Sequence, residues 1–327
     1  MTTTLTDRFG RTIEYIRLSV TDRCDLRCFY CMPKGFNDFE VPDNWLTFDE
    51  IERVIAAFAE LGVAHVRITG GEPLVRKGIE DLSSRLSSIN GITDLSLSTN
   101  GIRLRKIAPA LAQAGIGRIN VSLDTLQKER FQSITGGKIE KVFAGLEAAR
   151  NAGLAPIKLN MVAMKGVNDD EYIDVAQYCM EKGFSLRFIE TMPMGSTGQD
   201  AVDHYVSLED VKHQLQQRFE LIPSTMPGAG PAKYYQVAGS ELKIGFITPI
   251  SQHFCDTCNR VRLSVDGTLY MCLGQSHNYP LRDLLRRRIP QDELIEAIRS
   301  AIELKPERHE FNEKPRQVIR IMSVTGG

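Results

Sequence analysis

Cys24-Asp25-Leu26-Arg27-Cys28-Phe29-Tyr30-Cys31 places three thiols within eight residues. Iron–sulfur clusters are held by cysteine thiolates, normally four per cluster, so a three-cysteine loop leaves one iron open to another ligand. The motif is read as the seat of a [4Fe–4S] cluster with an open coordination site. A zinc ion completed by a distant histidine and a chance group of buried thiols are the rival readings. With only seven cysteines in 327 residues, the chance grouping is the weaker of these. A second group, Cys255-Asp256-Thr257-Cys258 and then Cys272 after an Asp266-Gly267 turn, again supplies three thiols. It reads either as a zinc ribbon lacking one ligand, which His253 or His277 could complete, or as a second cluster with an open iron. The first motif favours the second cluster. Arg260 and Arg262 share one face of the strand that follows. Cys179 stands alone in a helical pattern, as a small core residue does.

Such groups need strands and helices to position them. From Ile13 to Ile189 short strand-like runs alternate with helical patterns; the strands are Ile13–Val20, Val63–Thr69, Thr93–Thr99, Arg118–Leu123, Pro156–Ala163 and Phe184–Glu190. Thr47–Leu61 reads as a helix with Thr47 and Glu50 in capping-box spacing and Ile51, Val54, Ile55 and Phe58 on one face. Six β/α units imply a parallel sheet with right-handed crossovers, curled into a full or partial barrel.

Parallel strands covered on both faces normally read as continuous apolar runs. Here one face is polar: Tyr15, Arg17 and Ser19 oppose Ile16, Leu18 and Val20, and His65, Arg67 and Thr69 oppose Val66 and Ile68. Ser96/Ser98, Asn120/Ser122 and Lys158/Asn160 continue it. If the apolar faces pack on outer helices, the polar ones line a cavity whose cations Arg17, Arg67 and Lys158 suit a large anionic ligand. An antiparallel sheet with one wet face would alternate likewise, but the intervening helices argue against it. In such architectures chemistry sits on loops after the strands. The cysteine loop follows the first strand, Gly70-Gly71-Glu72-Pro73 the second, Asn100-Gly101 the third and Asp124 the fourth. The paired glycines allow close backbone approach to a ligand, and Glu72 could hold an ammonium group.

Beyond Glu190 the pattern changes. Thr191–Gly198 reads as turn-rich, Ser207–Phe219 as an amphipathic helix, Tyr234–Ala238 and Glu241–Ile247 as a hairpin, and Asp292–Leu304 as a last helix. A boundary near Asp200 divides the chain into 1–200 and a smaller, partly antiparallel 201–327 carrying the second cysteine group. The terminal Gly326-Gly327 is either a frayed end or a thin stretch of backbone able to enter a narrow site. A formal net charge of −1 gives no reason to expect nucleic-acid or membrane attraction over the whole surface. The run Arg286-Arg287-Arg288 reads as a solvated patch near a helix end. The polar start and the lack of a long apolar run point to a cytoplasmic chain.

Cys24-x3-Cys28-x2-Cys31 with Tyr30 resembles the radical S-adenosylmethionine signature, and Gly70-Gly71-Glu72-Pro73 resembles that superfamily's second motif. With Cys255/Cys258/Cys272, Arg260-x-Arg262 and the Gly-Gly end, the whole chain resembles the GTP 3′,8-cyclase family of molybdenum cofactor biosynthesis. Two positions depart from that pattern: Ser98 stands in place of threonine and Thr325 in place of an apolar residue. The resemblance implies an α/β fold, a partial (β/α)6 TIM-like barrel closed by a smaller C-terminal α+β region. It implies two [4Fe–4S] clusters, on Cys24/Cys28/Cys31 and Cys255/Cys258/Cys272, and S-adenosylmethionine bound by Tyr30, Gly70, Gly71, Glu72, Ser122 and Met192. GTP would be bound by Arg17, Arg67, Ser98, Lys158, Arg260, Val261 and Arg262, with Arg17, Gly326 and Gly327 in catalytic roles. A small flavodoxin-like electron donor, transfer of product to cyclic pyranopterin monophosphate synthase and a homodimer are implied as well. A peptide-modifying radical enzyme with an auxiliary electron-transfer cluster and a non-catalytic zinc-binding protein are the alternatives.

Overall fold

The computed structural model describes residues 4–314, 318 and 320–326. Its strands are β1 (Tyr15–Ser19), β2 (His65–Thr69), β3 (Asp94–Thr99), β4 (Arg118–Ser122), β5 (Ile157–Ala163), β6 (Ser185–Glu190), β7 (Leu221–Ser224), β8 (Lys233–Val237), β9 (Lys243–Ile247), β10 (Arg260–Leu263), β11 (Thr268–Tyr270) and β12 (Asn278–Pro280). The helices are α1 (Phe48–Glu60), α2 (Ile79–Ser87), α3 (Leu104–Gln113), α4 (Lys128–Thr135), α5 (Ile139–Asn151), α6 (Tyr172–Lys182), α7 (Gly195–Ala201), α8 (Leu208–Gln216), α9 (Arg282–Arg286), α10 (Gln291–Ile302) and α11 (Met322–Thr325).

All strands join one sheet in the order β12-β11-β10-β1-β2-β3-β4-β5-β6-β9-β8-β7. The six strands β1 to β6 are parallel neighbours in chain order, as the alternation of strand and helix patterns required. The later chain extends this partial barrel at both edges: β10 runs parallel to β1 and β9 parallel to β6, each continued by antiparallel hairpins. The expected hairpin is β8–β9, turning at Gly239.

The period-two reading holds. Ile16, Leu18, Val66, Ile68, Leu97, Val121, Leu159 and Leu186 belong to one continuous hydrophobic core, whereas Tyr15, Arg17, Arg67, Asn160 and Arg187 line an internal cavity. α1 opens as its sequence dictates, with Thr47 Oγ1 accepting from the Glu50 amide at 3.2 Å and Glu50 Oε2 from the Thr47 amide at 2.8 Å. Cys179 is fully buried in the core.

One segment departs from expectation. Thr191–Gly198 is not turn throughout, because Gly195–Ala201 forms α7. Its glycines serve both turn and contact: Gly195 adopts φ +62 and a Cβ there would lie 3.0 Å from Ile321 Cγ2, while one at Gly198 would lie 2.6 Å from the Met192 carbonyl of the preceding loop. Gly195 thus lets the start of α7 pack against the returning C-terminal segment, to which its amide donates at the Val318 carbonyl (3.0 Å).

Candidate functional site

The first cysteine group occupies the loop after β1 and is held by loops of neighbouring strands. The Gly71 amide donates to the Thr21 carbonyl at 2.7 Å and the Glu72 amide to the Arg23 carbonyl at 2.8 Å. A Cβ at Gly70 would sit 2.4 Å from the Thr21 carbonyl oxygen, and one at Gly71 2.4 Å from that of Arg23. Gly70 also adopts φ +154, at the edge of the range that favours glycine. The paired glycines therefore bring two loops together.

Glu72 is likewise a brace. It is fully buried, and its carboxylate accepts from the Leu74 amide (3.0 Å), Thr99 Oγ1 (2.8 Å) and the Asn100 amide (2.7 Å). Burial raises its pKa to about 7 despite those bonds. The carboxylate ties the Gly-Gly loop to the end of β3, where Asn100 Nδ2 reaches Cys24 Sγ at 3.7 Å and Asp25 Oδ1 at 2.8 Å. Tyr30 is anchored from the next loop, donating from its hydroxyl to Asp124 Oδ2 at 2.6 Å. Burial pushes Asp124 up to about 6. It drives the Cys24 thiol to about 11 and the Cys31 thiol to about 12, with neighbouring carboxylates adding to both shifts. Ser122 is exposed at the end of β4.

The second group lies on the wall of the cavity. Cys255, Cys258 and Cys272 line it together with Tyr15, Arg17, Arg67, Arg187, Met192, Val261 and Arg262. The register makes the cations neighbours: Arg17 pairs across to Arg67 on β2 and to Arg262 on β10, and Tyr15 to Arg260. Arg260 and Arg67 each lie over the Tyr15 ring, at 5.9 and 5.3 Å. A recess of about 420 Å³ that shares Arg67 and Arg187 with it adds Lys158 and Arg118. Burial, reinforced by Arg187, Arg118 and Arg67, brings Lys158 down to about 7. Burial and then Arg262 push Arg17 well below the usual arginine range.

Arg17 Nε, Arg260 Nε and Ser98 Oγ are buried with no hydrogen-bond partner. Buried polar groups are normally paired, so the unpaired donors of Arg17 and Arg260 in one cavity have the chemistry of an anion site, whereas Ser98 lines neither that cavity nor the recess beside it. Gly326 enters the barrel, where a Cβ would lie 2.3 Å from Thr69 Cγ2. Arg262 Nη1 donates to the carbonyls of Thr325 (3.2 Å) and Gly326. Gly327 lies outside the described residues.

Some site residues escaped the sequence reading. Arg187 bonds Asn160 Oδ1 at 2.8 Å and also Asn120 Oδ1; its alternation with Leu186 and Phe188 was a usable signal. His309 had none. It is buried, contacts His253 across 3.2 Å, and is held down to about 4 by burial and then by His253. His277 is exposed.

The donor sets fit clusters. All seven cysteines are free. Among the described residues no three His, Cys, Asp or Glu side chains converge as one metal ion would require, whereas the thiolates of a cluster each take a different iron. No helix among the described residues is long and apolar enough to cross a membrane.

Comparison with known proteins agrees with this geometry. Residues 18–179 match the radical SAM superfamily and residues 184–311 the family described as Molybdenum Cofactor Synthesis C. The chain is 45% identical to a GTP 3′,8-cyclase of Saccharophagus degradans, with 99% of each chain covered. It is 46% identical to one of Hydrogenovibrio crunogenus, again with 99% of each covered. Streptococcus suis SuiB, solved bound to S-adenosylmethionine, shares the fold at a TM-score of 0.63 and 15% identity, over 91% of this chain and 73% of that one. The zinc-binding alternative thereby falls away. The chain belongs to the GTP 3′,8-cyclase family of radical S-adenosylmethionine enzymes.

Proposed function

We propose that this chain converts GTP to 3′,8-cyclo-7,8-dihydro-GTP, the first step of molybdenum cofactor biosynthesis. Two [4Fe–4S] clusters and S-adenosylmethionine are its cofactors. When bound, the first cluster and S-adenosylmethionine supply a 5′-deoxyadenosyl radical able to take a hydrogen atom from the substrate ribose. The chain's own residues do the rest by positioning. Cys24, Cys28 and Cys31 would hold the first cluster, with Tyr30, Gly70, Gly71, Glu72, Ser122 and Met192 shaping the cofactor end. Cys255, Cys258 and Cys272 would hold the second at the cavity wall beside Val261.

The observation that carries this reading is the pair of buried, unpaired donors of Arg17 and Arg260 in the cavity, joined there and in its recess by Arg67, Lys158 and Arg262, with unpaired Ser98 on the polar face of β3. Charge-assisted bonds from such a set suit a triphosphate. A peptide substrate offers no comparable charge, so the peptide-modifying alternative is disfavoured. Arg17 and the Gly326-Gly327 end are assigned catalytic roles because Arg17 and Gly326 enter the barrel near the substrate cations. The division near Asp200 is kept as one of function, barrel against cap, within a single sheet.

Exposed Arg23 and Lys77 flank Cys24, beside Arg103 paired to Asp25 at 2.8 Å, and this basic rim supports a small acidic electron donor of the flavodoxin kind. Transfer of product to cyclic pyranopterin monophosphate synthase and a homodimer rest on the family resemblance, and a cytoplasmic setting on the polar start and the lack of a long apolar run. Anaerobically reconstituted protein given reductant, S-adenosylmethionine and GTP should form 5′-deoxyadenosine and a cyclised nucleotide. Absence of both products with about eight irons bound per chain would sink the proposal.

A further inference from the structure

The second cysteine group sits among cations supplied by distant parts of the chain. Arg11 is buried and donates to the Cys255 carbonyl at 2.9 Å and to that of Pro306 at 2.6 Å, while its Nε pairs with Asp7 at 2.6 Å. Arg320 donates to the Cys272 carbonyl at 3.0 Å. Between them Lys305, 2% exposed, reaches Cys258 Sγ at 3.5 Å and the carbonyls of Arg260 and Met271 at 2.9 Å each. These contacts use the three donors of an ammonium group, and none goes to a carboxylate.

A buried cation without a counter-charge costs several kcal/mol. The anionic partner within reach of Lys305 is the sulfur of Cys258. The first group has the opposite surroundings. Cys24 Sγ accepts from the Leu26 amide at 3.4 Å and from Asn100, both neutral, and Asn100 is itself held by the Glu72 and Asp25 carboxylates.

We propose that Lys305 is a charge-compensating positioning residue of the second cluster, and that it raises that cluster's reduction potential relative to the first. Reduction adds one negative charge to a thiolate-bound cluster, and a cation at the sulfur stabilises it. This rests on the reading that a cluster occupies Cys255, Cys258 and Cys272.

The test uses full-length chain carrying Cys24→Ala, Cys28→Ala and Cys31→Ala, so that only the second cluster remains. Iron is counted, and the midpoint potential is followed by electron paramagnetic resonance during titration with dithionite. Lys305→Met should retain about four irons but hold at least a tenfold smaller reduced-to-oxidised ratio at the parent's midpoint, about 59 mV for one electron. Lys305→Arg should stay near the parent. An unchanged midpoint in iron-loaded Lys305→Met overturns the proposal, as does equal iron loss in both variants. Iron loss in Lys305→Met alone supports it, because restoring the charge restores the site. A parent chain that binds no iron would remove the second cluster, and with it the reading on which the proposal rests.

Discussion

The two cysteine groups carry equal numbers of thiols in unlike frameworks. Cys24, Cys28 and Cys31 share one short loop, braced by Gly71 and Glu72 from the loop after β2, Asn100 from that after β3 and Asp124 from that after β4. Cys255, Cys258 and Cys272 are spread along the chain and are held by Arg11, Lys305 and Arg320, which come from its two ends. The Cys24 sulfur of the first site meets neutral donors, with the Glu72 and Asp25 carboxylates behind them and cations at the exposed rim, whereas a buried cation reaches a sulfur of the second site. A local loop can carry a reagent-binding site because it needs only its neighbours. The proposed substrate wall is assembled where strands, cap and tail meet.

The sharpest way to break this contrast is to remove one thiol from each side. Cys24→Ala should abolish cleavage of S-adenosylmethionine. Cys255→Ala should leave some reductive cleavage but yield no cyclised nucleotide; chromatography of 5′-deoxyadenosine and nucleotide products reads both, and identical behaviour would erase the distinction.

Gly71→Ala probes the bracing of the first site alone. A Cβ placed 2.4 Å from the Arg23 carbonyl forces the loops apart, and overpacking of this kind costs about 1–3 kcal/mol. Thermal unfolding should shift downward and iron retention should fall at the first site, with the second site's share unchanged.

Arg262→Ala tests the cationic side. Losing a charge-assisted hydrogen bond should weaken GTP binding about ten- to a hundredfold by calorimetry. Because Arg262 also holds the Thr325 and Gly326 carbonyls, limited proteolysis of the tail should become faster. Unchanged affinity would remove Arg262 from the substrate site.

The smallest effect is one of pH. Lys158 falls to about 7 in the free site, and a bound triphosphate favours its charged form. GTP binding should therefore take up a proton above pH about 7, with affinity falling toward tenfold per pH unit as the free lysine loses its charge. Lys158→Arg should flatten that slope, since a guanidinium stays charged.

Much of this was readable from residues in order. Period-two alternation along β1 to β5 marked Arg17, Arg67 and Lys158 as facing one cavity, because strand side chains alternate whatever the strand packs on. The cysteine spacings marked both thiol groups, since those ligands lie close along the chain. Thr47 and Glu50 announced the start of α1 for the same reason of short range. The roles of Gly70, Gly71 and Glu72 were less legible: their motif was visible, but that they brace loops depends on Thr21, Arg23, Thr99 and Asn100 standing opposite.

What local spacing could not carry was who stands beside the second thiol group and where the chain end goes. Arg11 and Cys255 are 244 positions apart, Lys305 and Cys258 47, and Arg262 and Gly326 64. No periodicity or short motif links such pairs; they meet because β10 adds to the edge of β1 and the returning tail fills the space above Thr69. The amino-acid order thus settled the kinds of ligand and the strand faces, through interactions a few residues long. Folding settled which cations surround the second cluster's cysteines, through contacts that exist only once the sheet has curled.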